Sequence, residues 1–240
     1  MAPTEQITLY TTTFSPYAHR VHIALEEAGA RYKAYQINTQ NKPDWYHLVN
    51  PFGKVPAITF GGPDVPPDQP SPESAKLVES LALLEFVADV FPEAKLLPED
   101  PVLREKARAF ISIYQSFVNE LFRDVIFFAT KPGEVLLEAL AKLQSALPPT
   151  GFAVGEWSIA DAAVIPFLAR MFLYLDADLG KYSEEDGKKM RDAIASDRFA
   201  RLRQYVHDLR ERKSFKDTWG GDAIQVELGR KLPIMNRKVQ

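Results

Sequence analysis

The chain has no cysteine. That one absence removes disulfides, thiolate metal sites, Cys-x-x-Cys redox chemistry and a cysteine nucleophile together, so any thiol chemistry must use a sulfur carried by a ligand. Histidine is scarce as well, at His19, His22, His47 and His207. His19 and His22 stand three apart on a predicted helix, but no third ligand is spaced to join them and no His-Glu-x-x-His or carboxylate cluster occurs. No metal is expected, and the pair is read as a solvated helix face. Neither sign of charge dominates: 29 Lys and Arg are interspersed with 32 Asp and Glu, for a net charge of −3. Such a balance offers nothing to a phosphate backbone or an anionic bilayer, so nucleic acid and membrane are not expected partners. No run of about 18 apolar residues is present to span a bilayer. MAPTEQITLY lacks the basic start and apolar core of a secretory signal, and the expectation is a soluble, cytoplasmic protein.

What the 240 residues do contain is 46% hydrophobic side chains, enough to build one large core or two smaller ones. The first ninety residues alternate between two periods. ITLYT (7–11) is strand-like, Pro16 to Ala28 has helical period and stops at Gly29, and YKAYQIN (32–38) is strand-like again. A β-α-β start places its two strands parallel. PDWYHLV then reads as a short helix, VPAITF (55–60) as a third strand, AKLV (75–78) as a fourth that pairs with the third, and SLALLEFVADVF as an amphipathic helix stopped before Pro92. Between the last two strands lies GGPDVPPDQPSPE, which carries five prolines and no periodicity and is expected to be an extended, mobile loop. Strand-helix-strand-helix-strand-strand-helix is the thioredoxin-like order.

From Pro101 onward only helical periodicity remains: a long segment over about 102–129, then 133–146, a third opening at Ser158, and two more around 184–194 and 196–213. The expected organisation is therefore an α/β domain over 1–91, a linker over 92–100 and an all-helical domain over 101–240. Ser158 and Asp161 form a Ser-x-x-Asp capping box, and Pro166 should bend the helix that they open. Thr218 to Gln240 has little apolar periodicity and is expected to be an irregular tail packed on the surface.

Three stretches of the first domain carry chemistry: Thr13-Phe14-Ser15-Pro16, Asn50-Pro51-Phe52-Gly53-Lys54-Val55-Pro56-Ala57, and Leu77-Val78-Glu79-Ser80-Leu81-Ala82. Each falls at a strand end on one edge of the sheet, where open α/β sheets hold ligands. Ser15 lies on a strand-to-helix turn, as a cap, a group aimed at a ligand, or both. Pro56 opens a strand, where proline cannot donate to a ladder. It is either an ordinary trans proline at an edge or a cis proline that turns the Val55 amide and carbonyl outward to pair with an extended peptide. Ser80 can cap the helix it begins, whose amides suit a carboxylate, while Glu79 can take an ammonium group. Taken together the three stretches describe a pocket for a short zwitterionic peptide.

NPFGKVPAI and LVESLALLEFV resemble the two signature stretches of the glutathione site in cytosolic glutathione transferases, a family built as a thioredoxin-like half joined to a helical half. FSPYAHRVHIAL is similar to the phenylalanine-cysteine-proline-phenylalanine active-site stretch of the omega class, and NKPDWYHLVNPFGKVP to its lysine-proline-glutamate-tryptophan stretch. The likeness covers essentially the whole chain. It implies glutathione as cosubstrate, with Lys42 holding the glycine carboxylate, Val55 the cysteinyl backbone, Pro56 as the cis proline, and Glu79 and Ser80 at the γ-glutamyl end. It also implies a detoxification role and a homodimer.

The departure from the family lies at Ser15, which stands where the omega pattern has cysteine and so makes the chain a serine-type, fungal omega-like form. Serine cannot form the mixed disulfide on which thiol transfer and reductase chemistry depend, so that half of the repertoire should be absent or very weak. Serine can donate. Lowering a glutathione thiol from about 8.5 by two units requires favouring the thiolate by about 2.7 kcal/mol. A hydroxyl donor to a charged acceptor supplies roughly 1.5–3 kcal/mol, and the start of the helix at Pro16 a further ~0.3–1 kcal/mol. No Gly-x-Ser-x-Gly elbow is present to make Ser15 a nucleophile, and Phe14 is expected to pack behind the turn.

A second substrate is expected between the domains, against the long helix after Pro101, with Tyr114 and Phe117 as wall residues, Tyr17 across the cleft and Tyr174 after the kinked helix; the aromatics of that helix cannot all face one side, and some are core. Two functions fit: an enzyme that activates glutathione for conjugation, deglutathionylation or peroxide reduction, and a ligandin-type binder of aromatic compounds with little turnover. A fold-sharing structural or regulatory subunit is a third. The proline-rich loop at 61–74 is either a neutral insertion or a modifier of the dimer edge.

Overall fold

The computed structural model describes residues 6–231, which divide into two compact units. The first comprises the chain up to Pro98 together with Lys213–Trp219, and the second Glu99–Arg212 with the chain from Gly220 onward. The return of Lys213–Trp219 to the first unit departs from a division made at a single linker.

The first unit holds a four-stranded sheet in the order β2-β1-β3-β4, from β1 (Ile7–Thr11), β2 (Lys33–Gln36), β3 (Ala57–Phe60) and β4 (Ala75–Val78). β1 pairs parallel with β2 and antiparallel with β3, and β3 pairs antiparallel with β4, which is the mixed sheet of the thioredoxin-like fold. All five residues of β1 are buried, so both faces of the sheet are covered. Register separates the faces: Leu9 lies opposite Ile58, and Tyr10 opposite Ala57 and Tyr35. On the Leu9 face lie α1 (Pro16–Glu27) and α2 (Ser80–Val90), with Phe60 of β3 edge-on to Phe86 of α2 at 5.1 Å. α1 ends as its sequence requires. Gly29 has φ +60°, its N–H bonds Glu26 O at 3.0 Å, and Ala30 N–H bonds Leu25 O at 3.0 Å, closing the last carbonyls in a Schellman motif.

On the Tyr10 face a 3₁₀ turn over Asp44–Leu48 contributes Trp45 and Tyr46, which pack with Tyr10 and Tyr35 around Ile37, Val49 and Ala57. The proline-rich segment covers the same face. Asp64 pairs with Lys33 of β2, Pro67 O accepts from Tyr10 Oη of β1 at 2.7 Å, and Gly61 N–H bonds Gln6 O at 2.9 Å. It is a strap laid across the sheet, in contrast to the mobile loop that its composition suggests. Its prolines hold it extended while a few polar contacts fix where it lies.

The second unit is helical. α3 (Pro101–Ile113) starts at Asp100, whose carboxylate accepts from Val102 N at 2.8 Å and Leu103 N at 2.9 Å. The single helix expected over 102–129 is interrupted: Tyr114–Val118 is π-helical, α4 spans Asn119–Arg123, and Asp124–Phe128 is π-helical again before Ala129 turns left-handed at φ +51°. Each wide turn inserts extra residues and rotates the side chains beyond it about the helix axis. α5 (Gly133–Ser145) packs on α7 (Glu184–Ala195), while α3, α7 and α8 (Ala200–Glu211) pack against α6 (Ile159–Asp176), which is buried along nearly its whole length and runs on through Pro166. The capping box forms, with Ala160 N–H bonding Ser158 Oγ at 3.3 Å and Ser158 N–H bonding Asp161 Oδ2 at 2.8 Å. Beyond α8, α9 (Lys213–Thr218) belongs to the first unit, and α10 (Gly221–Lys231) is a helix where the sequence pattern suggests an irregular tail. The remainder of that expected tail, 232–240, lies outside the described residues. Among the described residues no helix is long and apolar enough to cross a membrane.

Candidate active site

A cleft of about 500 Å³ opens in the first unit, lined by Tyr17, Thr39, Lys42, Asn50, Gly53, Lys54, Val55, Pro56, Glu79 and Ser80. It brings together five residues singled out from sequence for the peptide ligand, Lys42, Val55, Pro56, Glu79 and Ser80, and adds Tyr17 from the proposed aromatic wall. Its size suits a tripeptide-scale ligand.

One wall is the segment 50–56, built around a buried asparagine. Asn50 is 2% exposed; its Nδ2 donates to Lys54 O at 2.8 Å, its Oδ1 accepts from Phe52 N at 3.0 Å, and its own carbonyl accepts from Gly53 N at 2.9 Å. Tyr46 Oη donates to the same Lys54 carbonyl at 2.8 Å. These bonds force a tight turn in which Gly53 takes φ +63°, a left-handed conformation that glycine adopts freely. The aliphatic stem of Lys42 lies over it, so a Cβ at that position would stand 3.6 Å from Lys42 Nζ. Lys42 thus sets its ammonium group beside Gly53 at one end of the cleft, which Lys54 also lines.

The Val55-Pro56 peptide bond is cis. β3 begins at Ala57 and not at Val55, so both residues precede the ladder. Among the described residues neither the amide nor the carbonyl of Val55 has a hydrogen-bond partner. That leaves one donor and one acceptor for an extended ligand backbone.

At the other end stand Glu79 and Ser80. Glu79 is the cap residue of α2 and has φ +70°, an uncommon conformation for a residue with a side chain. Ser80 is the first helical residue, and the capping role expected for its hydroxyl is not the one it performs. Its Oγ instead accepts from Arg20 Nη1 of α1 at 3.2 Å. Arg20 is 1% exposed, and its guanidinium also lies 5.4 Å from the centre of the Tyr17 ring. Burying an arginine beside the start of α2 adds a full positive charge to the partial one of the helix end. This end of the cleft offers an anion site next to an exposed carboxylate.

Ser15 is the N-cap of α1: it has extended backbone angles, Ala18 N–H donates to its Oγ at 3.2 Å, and Pro16 occupies the first helical position. It is half-buried and does not line the cleft, to which the same helix contributes Tyr17 two residues on. Among the described residues the Ser15 hydroxyl accepts one bond and donates none. Phe14, expected behind the turn, is 45% exposed.

His19 cannot serve Ser15 as a base through Nε2. That nitrogen is 2.9 Å from Thr218 Oγ1, and the Thr218 hydroxyl donates to Ser214 O at 2.6 Å, which leaves its lone pair facing His19. Nε2 must therefore carry the hydrogen. Neither histidine of α1 lies on a solvated face: His19 is 5% exposed, and His22 is half-buried edge-on to Tyr32 at 5.6 Å, with burial lowering its pKa. Among the described residues no group of three or more His, Cys, Asp or Glu is placed to hold a metal ion.

The remaining aromatic candidates lie in the second unit. Tyr114 is fully buried against Phe167 with ring centres 5.3 Å apart, and Tyr174 is buried and stacked on Phe122 at 6.0 Å. Neither offers ring surface to a ligand. Phe117 is 51% exposed, with Lys142 Nζ 5.9 Å from its ring centre. Arg20 and the organising role of Asn50 were not legible in the sequence, since nothing local marks either side chain as buried.

Residues 14–90 match the family model described as glutathione S-transferase, N-terminal domain. The crystal structure of glutathione transferase Omega 2S from Trametes versicolor is 68% identical, covers 98% of this chain and 100% of its own, and superposes with a TM-score of 0.92. The structure of that protein in complex with 2,4-dihydroxybenzophenone has the same identity and coverage and a TM-score of 0.91. Glutathione S-transferase omega-1 of Rattus norvegicus is 30% identical over 184 residues, 70% of this chain and 68% of the relative. The chain belongs to the glutathione transferase family. The relatives named above are omega-class members, and the chain is an omega-like glutathione transferase, with glutathione as the family's substrate.

Proposed function

We propose that the cleft of the first unit binds glutathione and that Ser15 stabilises its thiolate. The observation that carries this reading is the set of groups gathered at the cleft: two lysines, the unpaired backbone of Val55, and a carboxylate beside a buried arginine and a helix start. Glutathione has one carboxylate at its glycine end, and a carboxylate with an ammonium group at its γ-glutamyl end. Lys42 and Lys54 meet the first, Val55 pairs with the cysteinyl backbone, and Glu79 and the Ser80 end of α2 meet the zwitterion.

In that register the thiol is directed to the start of α1. The Ser15 hydroxyl, whose hydrogen is uncommitted, donates to the sulfur while its oxygen continues to cap the helix, and the helix end adds to the same stabilisation. The ionised thiol then attacks a hydrophobic or aromatic electrophile in conjugation, removes glutathione from a glutathionyl compound, or reduces a peroxide. Among the aromatic candidates, Tyr17 lines the cleft and has ring surface for that acceptor. We further infer a cytoplasmic homodimer, for which light scattering is the direct test.

A second reading, a ligandin that sequesters aromatic compounds, is favoured by one observation: the Trametes relative has been solved with a hydroxylated benzophenone. Turnover with isothiocyanates, hydroperoxides and glutathionyl-ketones, set against polyphenol affinity, separates the two. The transferase reading expects Ser15→Ala to lose kcat with little change in KM for glutathione. Polyphenol binding with negligible turnover in the native protein gives the role to the ligandin.

A further inference from the structure

The first unit is completed by a segment that lies more than a hundred residues further along the chain. Lys213–Trp219 is grouped with the α/β unit, and its contacts there fall on α1. They grip α1 near both ends. Ser214 Oγ donates to Glu27 Oε1 in the last turn at 2.5 Å. In the first turn His19 Nε2–H donates to Thr218 Oγ1 at 2.9 Å, and the His19 ring is packed by Phe215 at 5.3 Å and Trp219 at 5.8 Å, which stack on each other at 5.0 Å. Phe215, Ser214 and His19 are all buried, so these are desolvated contacts.

We propose that Lys213–Trp219 is a clasp that sets the aim of Ser15, with His19, Thr218 and Trp219 as its positioning residues. This rests on the reading of Ser15 as thiolate stabiliser. α1 is fixed on one side by the sheet and α2, through Leu25 and Val21 in the core and through the Arg20–Ser80 bond. Those contacts leave its first turn, which carries Ser15 and Tyr17, supported on its other side by His19. His19 lies one turn beyond Ser15, and its amide donates to the Ser15 carbonyl at 3.0 Å, so a displacement of His19 is passed directly to the cap residue. A hydrogen bond weakens steeply once its angle or length departs from the optimum, and misplacement of a catalytic group by a fraction of an ångström is felt in the reaction.

The chemistry of the clasp explains its residue types. The Thr218 hydroxyl is a relay: it gives its hydrogen to the carbonyl of Ser214 and presents its lone pair to His19. Valine has the shape and lacks the relay; serine retains it. Protonation of His19 leaves Nε2–H in place, so the contact survives on either side of the histidine titration.

The test is a double-mutant cycle read by the thiol pKa of bound glutathione, measured from the ultraviolet thiolate band, in native protein, Thr218→Val, Thr218→Ser and Trp219→Phe, each with and without Ser15→Ala. Thr218→Val is expected to raise the thiol pKa by about half a unit, roughly a threefold change in the ionisation constant, while glutathione affinity stays within twofold and Thr218→Ser restores the native value. In the Ser15→Ala background Thr218→Val should add nothing. An unchanged pKa in Thr218→Val, or an equal rise with and without Ser15, overturns the clasp while leaving the role of Ser15 standing. A Ser15→Ala protein with the native pKa removes that role, and the clasp falls with it.

Discussion

Arg20 of α1 donates through Nη1 to Ser80 Oγ of α2 at 3.2 Å, joining the helix that begins at Ser15 to the helix that begins beside Glu79. Because a guanidinium can only donate, Ser80 must accept from it, and the serine's own hydrogen is directed elsewhere. A buried arginine therefore fixes a serine hydroxyl as a donor at the rim of the cleft. Replacing Arg20 by glutamine should weaken glutathione binding about tenfold, about 1.4 kcal/mol, the scale of one hydrogen bond to a charged acceptor. Calorimetric titration measures it, with a thermal melt to confirm a folded protein. Native affinity in a folded variant contradicts the assignment of this end of the cleft to a carboxylate.

Gly53→Ala is a backbone test. A Cβ there meets Lys42 Nζ at 3.6 Å, an ordinary contact, so the cost comes from φ +63° and not from a clash. The variant should lose about 1 kcal/mol of stability in urea unfolding and bind glutathione less tightly as the 50–56 turn relaxes. A stable variant with weakened binding separates the turn's role from that of the fold.

Asp161 gives the helical unit a pH dependence. It is fully buried, and burial raises its pKa to about 6 despite the donors from Ala153, Ser158 and Tyr205. Unfolded, it titrates near 3.9. The folded protein thus holds more protons between these values, and stability falls as pH rises from about 4 through about 6, by up to ~3 kcal/mol from this group. Chemical denaturation across that range should show the decline, and Asp161→Asn should flatten it while lowering stability overall. A native slope of the opposite sign, abolished by Asp161→Asn, contradicts it.

Tyr10→Phe tests the strap. The hydroxyl donates to Pro67 O at 2.7 Å from a ring that is otherwise core. Its loss should cost about 1 kcal/mol and speed proteolytic cleavage within 61–74 severalfold, with the ring packing retained. Cleavage at the native rate gives the strap's position to Lys33, Asp64 and the prolines instead.

Much of the fold could be read from the chain because it rests on local rules. Ser15-Pro16 and Gly29 bracket α1, AKLV is β4, and Ser158 with Asp161 opens α6. The cis bond at Pro56 was one of two alternatives that the sequence left open. Features set by tertiary structure were hidden: the π-helical turns, the burial of Tyr114, Arg20 and His19, the left-handed Glu79 and the path of the proline-rich strap. Composition marks that strap as irregular, and an irregular segment pinned by side chains elsewhere in the fold is not a mobile one. Likewise Lys213–Trp219 has an ordinary helical pattern, and nothing in it names the helix that it grips.

The measurement that bears most directly on the central claim is the ultraviolet titration of glutathione's thiolate in saturated native protein beside Ser15→Ala. Stabilisation by Ser15 predicts ionisation well below the free value of about 8.5, by on the order of two units, with most of that shift lost in the alanine variant. Glutathione that binds both proteins and titrates alike in each would reduce Ser15 to a helix cap and leave the ligandin reading in its place.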